Sequence, residues 1–167
     1  MPASTAAARE QDTKSEDGSA TGFTLADFGD SIDASTFEQI LEMDDDEEER
    51  EFSRSIVYDF FTQADGTFKN MDNELANGNL GRLSELGHFL KGSSATLGLA
   101  KVQASCEKIQ HYGAQKDETG NSKVDDKDLC LKNCRTEIAR AKTDFKEAER
   151  LLKRFYHDDG TGAGASA

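Results

Sequence analysis

Of the three histidines in the chain, His88 stands in the stretch "LGHFLKGSSATLGL", running from Leu86 to Leu99. A lysine follows it by three residues and a glycine by four, a spacing that puts all three on one side of a helix. At about 100° per residue, His88 lies about 140° from Leu83 and about 160° from Leu90, so it points away from the apolar stripe. On the same count Lys91 stands about 60° to one side, Gly92 about 40° to the other, and Ala95 within about 20° of the same line. That strip suits a nucleophile that another protein must reach. An imidazole is mostly neutral near pH 7 and then keeps a free lone pair on one ring nitrogen. Lys91 can offset charge on a phosphoryl group arriving beside the ring. Gly92 costs the helix about 1 kcal/mol relative to alanine and leaves clearance for a partner's site to close over the histidine. The plainer alternative is a solvated surface histidine next to a lysine, and position by itself favours it.

The elements that hold this strip read as helices. The single proline is Pro2, and no run of alternating β-branched residues appears. Asp33 is placed to cap a short helix running to about Met43, with Ile32 and Phe37 spaced as a hydrophobic staple. The acidic run "DDDEEERE", Asp44 to Glu51, reads as a docking tail or, more simply, as carboxylates at the positive end of the next helix dipole. Phe52, Ile56, Phe60, Ala64, Phe68, Met71 and Leu75 then form an apolar stripe, ended by "NGN" at Asn77 to Asn79. Leu80, Leu83, Gly87, Leu90, Ser94 and Leu97 give a third helix its inward face, with Gly98 as a left-handed cap. Val102, Cys106, Ile109 and Gly113 mark a fourth. After the polar loop "GAQKDETGNS", the series Leu131, Cys134, Ile138, Ala141, Phe145, Ala148, Leu152 and Phe155 repeats with alternating spacings of three and four. The pattern predicts an all-α antiparallel four-helix bundle with a short additional N-terminal helix. The domain is expected over residues 32–156, between disordered tails at 1–31 and 157–167 that are poor in large apolar side chains.

Composition narrows the function. Thirty-three acidic residues against twenty basic ones give a formal charge of -13, a field that repels phosphate backbones and anionic lipid, so neither nucleic acid nor membrane is an expected partner. No charged leader precedes an apolar run and no stretch is long enough to span a bilayer, which makes a cytoplasmic and nuclear location the expectation. Cys106, Cys130 and Cys134 match no zinc or disulfide spacing and read as reduced, buried thiols. No Gly-rich loop ending in Gly-Lys-Ser/Thr and no kinase glycine set occurs, so the chain is not expected to phosphorylate itself from ATP.

"HFLKGSSATLGL" resembles the signature of histidine-containing phosphotransfer domains: a histidine, two residues, Lys-Gly, a pair of small residues and a hydrophobic close. The likeness extends to "CEKIQ", Cys106 to Gln110, to the acidic run after Met43 and to the long final helix. In that combination the chain most resembles the monodomain phosphorelay intermediates of fungi, over roughly residues 32–156. The resemblance implies that His88 accepts a phosphoryl group from the aspartyl phosphate of a hybrid histidine kinase's receiver domain and passes it to the aspartate of a response regulator. Lys91 and Gly92 would be its motif partners, and Gln110 would reach from the next helix to help fix the imidazole. Where close relatives often carry a basic residue one turn on, this chain has Ala114, with Lys116 or no residue in its place. Receivers would dock on an apolar patch of Ile40, Met43, Phe52, Ile56 and Phe89; Phe52 and Ile56 also belong to the core stripe above, and both readings stay open. The implied protein is a monomer without a cofactor of its own, the magnesium coming with the partner's receiver domain. Two rivals remain: a non-catalytic helical-bundle adaptor with an incidental His88, and a metal-binding bundle using His88, His111 and Cys106, whose spacings share no helical pair. His111 and His157 are expected to be solvated.

Overall fold

Helix ends fall where side chains can satisfy the free backbone groups of a first or last turn. The computed structural model describes residues 24–46 and 49–157. Asp33 accepts the Ser35 backbone N–H at 3.2 Å and the hydroxyls of Ser35 and Thr36 at 3.0 and 2.9 Å. Those donors hold its carboxyl below the usual carboxylate range and start α1, Ala34–Leu41. Ile32 and Phe37 are both buried, as a staple requires. Helix α2, Glu51–Asn77, closes on Gly78 in the left-handed region, and Asn79 caps α3, Leu80–Leu97, by accepting the Arg82 N–H at 3.2 Å. Gly98 then turns the chain at φ +83 into α4, Ala100–Gly113. Glycine is required there twice over, because a Cβ would also lie 2.8 Å from the Asp33 carbonyl. Asp126 caps α5, Lys127–Phe155, through the Leu129 N–H at 3.0 Å.

Helices α2 to α5 pack as a bundle in which each touches the next and α5 returns against α2, with α1 lying across α2 and α3. Short turns at Gly78–Asn79 and Gly98–Leu99 make the neighbours they join antiparallel. The fold is therefore the all-helical bundle that the periodicity predicts, and no strand occurs among the described residues. Its centre is aromatic. Phe60, Phe61 and Phe68 of α2 surround Phe145 of α5 at ring-centroid distances of 5.8, 6.1 and 5.7 Å, pairs that add about 0.5–1.5 kcal/mol each beyond burial.

Several expectations need correction. Residues 1–31 do not all lie outside the domain, because a 3-10 turn at Leu25–Phe28 buries Phe28 against Phe37 and Phe155, at 5.5 and 5.8 Å. Phe28 has enough apolar surface to fill the end of the bundle, which the composition of the segment as a whole conceals. The remainder of that tail, and the C-terminal one beyond His157, falls outside the described residues. Helix α1 ends at Leu41, before Met43. The inward face of α2 begins one residue later than the stripe suggests: Ser53, Val57, Phe60 and Phe61 are buried while Phe52 is exposed. The cause is Asp44, whose carboxylate accepts both the backbone N–H and the hydroxyl of Ser53 at 2.7 Å and so fixes which residue turns inward. Asp44 within the acidic run is thus a cap from outside the helix.

Burial pushes the Cys106 and Cys134 thiols and the Tyr156 hydroxyl up to about 12. In an unfolded chain these groups ionise near pH 8.5 and 10. The folded chain therefore holds more protons than the unfolded one across that interval, and stability must fall as pH rises through it. We expect a urea midpoint that is level between about pH 6 and pH 8 and clearly lower at pH 10.5 than at pH 7.5; equal midpoints at those last two pH values would contradict the buried, protonated thiols.

Candidate functional site

Helix α3 divides into two faces. Leu83, Leu86, Gly87, Leu90, Ser94 and Leu97 are buried, whereas His88, Phe89 and Gly92 are exposed. The inward face sits on α4 at very short range. A Cβ on Gly87 would lie 2.9 Å from the Cys106 carbonyl and the Gln110 amide nitrogen, and one on Gly113 would lie 2.5 Å from the Ser84 nitrogen. The Ser84 hydroxyl donates to the Gln110 carbonyl at 2.8 Å across the same seam. His88 therefore rides on a helix whose rotation is fixed from behind.

The outward strip has the opposite character. The His88 imidazole has no hydrogen-bond or ionic partner among the described residues, so neither ring nitrogen is engaged there. A Cβ on Gly92 would meet nothing within 4 Å. Unlike Gly87, Gly92 has no packing reason inside the chain, and the helix carries its cost of about 1 kcal/mol for space left open beside the histidine. Lys91 is half-buried and has no carboxylate partner among the described residues. Its charge works against the rise that burial imposes on the Cys106 thiol.

Gln110 is half-buried on α4, and no hydrogen bond joins it to His88. Its Oε1 is buried without a partner among the described residues, a state that costs about 1–3 kcal/mol until a donor arrives. His111 is half-buried, and its ring is engaged by the loop that follows α4 rather than simply solvated. Its Nδ1 lies 2.8 Å from the Glu118 carbonyl, and a Cβ on Gly120 would stand 2.8 Å from its ring. It braces the α4–α5 loop, which Asp117 also holds by accepting from Thr119 and Asn121. His157 is exposed just past α5. Ala114 is exposed, and Lys116 lies in the loop opposite Lys123. The metal trio does not assemble: Cys106 is buried with its thiol neutral, His88 is outside, and His111, in the last turn of α4, meets the Glu118 carbonyl.

Large exposed apolar side chains are few among the described residues: Met43 at 62 %, Phe89 at 47 %, Phe52 at 42 % and Leu129 at 42 %. Three of the four are among the docking candidates. Ile56 is half-buried and lines a groove of about 270 Å³ between α2 and α3 with Phe60, Ser93 and Thr96. Ile40 is corrected. It is only 7 % exposed, because the three-residue spacing from Phe37 turns both side chains onto the core.

Known proteins resemble this chain in sequence and fold. A family model, the Hpt domain, matches residues 55–144. A multistep phosphorelay regulator of Schizosaccharomyces pombe is 42% identical over 130 residues, covering 78% of this chain and 44% of the relative. A phosphorelay intermediate protein of Candida albicans, YPD1, is 49% identical over 82 residues, or 49% of this chain and 44% of that protein. The chain thus spans less than half the length of these curated relatives. Among solved structures, Saccharomyces cerevisiae Ypd1, co-crystallised with the receiver domain of its downstream response regulator Ssk1, is 30% identical with a TM-score of 0.67, covering 77% of this chain and 96% of that one.

The two glycines of α3 should respond oppositely to one methyl group. Gly92→Ala should raise unfolding stability by about 0.5–1 kcal/mol, since helix propensity improves and nothing is crowded. Gly87→Ala should lower it by about 1–3 kcal/mol, because the backbone of α4 must move. Denaturant titration of both variants tests this; a destabilised Gly92→Ala would show that the strip is not open.

Proposed function

This chain belongs to the Hpt domain family, and from that premise we propose that it is a phosphorelay intermediate. In this reading His88 takes a phosphoryl group from the aspartyl phosphate of a hybrid histidine kinase's receiver domain and gives it to the aspartate of a response regulator. The observation that carries the reading is the exposed, unbonded imidazole of His88 beside the open space at Gly92.

The step balances without further reactants. A ring nitrogen of His88 attacks phosphorus with its lone pair, an N–P bond forms, and the P–O bond to the donor aspartate breaks with its electron pair leaving on the carboxylate. The same exchange, reversed onto a second aspartate, returns the imidazole. Lys91 offsets the charge of the phosphoryl oxygens. The bundle's share is mainly alignment of donor, phosphorus and acceptor, and magnesium is expected to come with the receiver domain.

Met43, Phe52, Ile56 and Phe89 form the apolar face on which the receiver docks. The seating of a receiver domain on the Saccharomyces cerevisiae relative supports this choice of partner. The chain's net charge of -13 argues against competing association with nucleic acid.

Incubating the chain with a phosphorylated receiver domain should give it acid-labile, alkali-stable phosphate. His88→Gln should take none. Lys91→Ala should slow transfer about ten- to a hundredfold with its helicity by circular dichroism unchanged. Label on the His88→Gln variant would defeat the proposal.

A further inference from the structure

Ser53 is a polar residue at a fully buried position of α2, so both its amide and its hydroxyl require partners. Asp44, nine residues earlier, supplies them. One carboxylate oxygen accepts the Ser53 N–H and the other its hydroxyl, each at 2.7 Å. Both bonds are short. The Ser53 oxygen accepts in turn from the Tyr156 hydroxyl at 2.7 Å. Tyr156 lies just past α5 and is buried, and its carbonyl accepts from the Arg54 guanidinium at 3.3 Å. One chain of hydrogen bonds thus joins the segment after α1, the first turn of α2 and the end of α5.

Two of its members adjoin exposed apolar residues. Met43 immediately precedes Asp44, and Phe52 immediately precedes Ser53. With Ser53 held inward, Phe52 has to face solvent; with Asp44 tied to Ser53, the backbone bearing Met43 is held beside the start of α2. We propose that Tyr156, Ser53 and Asp44 act together as positioning residues for the receiver-docking face, presenting Met43 and Phe52 in a preset arrangement. This rests on the phosphorelay reading above. None of the three touches His88, and their effect is on docking: a preset face avoids the ordering cost that a loose one would incur on association.

The test measures transfer from a phosphorylated receiver domain against receiver concentration, for the wild-type chain, Tyr156→Phe, Asp44→Asn and Asp44→Ala. Tyr156→Phe removes one hydroxyl and keeps the ring packing, so it remains informative if Asp44→Ala folds poorly. Half-saturating receiver concentration should rise about threefold to tenfold in Tyr156→Phe and Asp44→Ala, with the saturated rate unchanged. Asp44→Asn, which keeps one acceptor oxygen, should fall between wild type and Asp44→Ala. Adding Phe52→Ala to Asp44→Ala should weaken docking less than Phe52→Ala does alone, since both act on one contact. Folded variants with wild-type half-saturation, or additive effects in the double variant, overturn the inference and leave the relay intact. A wild-type chain that takes no phosphoryl group overturns the relay reading and this inference with it.

Discussion

The close approach of α3 to α4 is the constraint on which the site depends. Gly87 and Gly113 let backbone come within a distance that any Cβ would obstruct, and the Ser84 hydroxyl crosses the gap to the Gln110 carbonyl. A helix seated so tightly has one rotation available to it. His88, Phe89 and Gly92 therefore face solvent, and no hydrogen bond to the imidazole is needed to hold it there. The imidazole is positioned by the packing behind it, which leaves both ring nitrogens free of partners among the described residues. Exposure and close packing are thus divided between the two faces of one helix.

The rest of the fold secures that helix at its ends. Gly98 joins α3 to α4 in a turn that also receives the Asp33 N–H at 2.7 Å, so α1 is fastened where α3 stops. Phe28, Phe37 and Phe155 close one end of the bundle with rings 5.5 to 5.8 Å apart. At the same end the acidic run serves structure through Asp44.

How much of this the sequence discloses varies with the range of the forces involved. The α3 stripe was legible because it is set by helical periodicity alone: all six positions from Leu80 to Leu97 are buried, and the opposite strip holds His88. Gly98 and Asp33 were legible too, since caps are local. The register of α2 at its start was not. Phe52 looks apolar enough for the core, yet it is exposed where its neighbour Ser53 is held inward by Asp44 and Tyr156, the latter about a hundred residues away. Ile40 fails as a surface residue for a related reason, the choice of inward face on a helix of only two turns. His111 gave no sign of its role, because the carbonyl it meets belongs to a loop whose path no pattern predicts. Of the candidate site, the exposed strip of His88 and Gly92 was readable, and the hydrogen bonds that set Phe52 outward were not.

If the chain is a phosphorelay intermediate, His88 is the residue that carries the phosphoryl group. The most direct measurement is to expose the full wild-type chain to a phosphorylated receiver domain, digest it at alkaline pH and map the phosphate by mass spectrometry. Phosphate is expected on His88 alone. Phosphate on His111 or His157, with His88 unmodified, would contradict it.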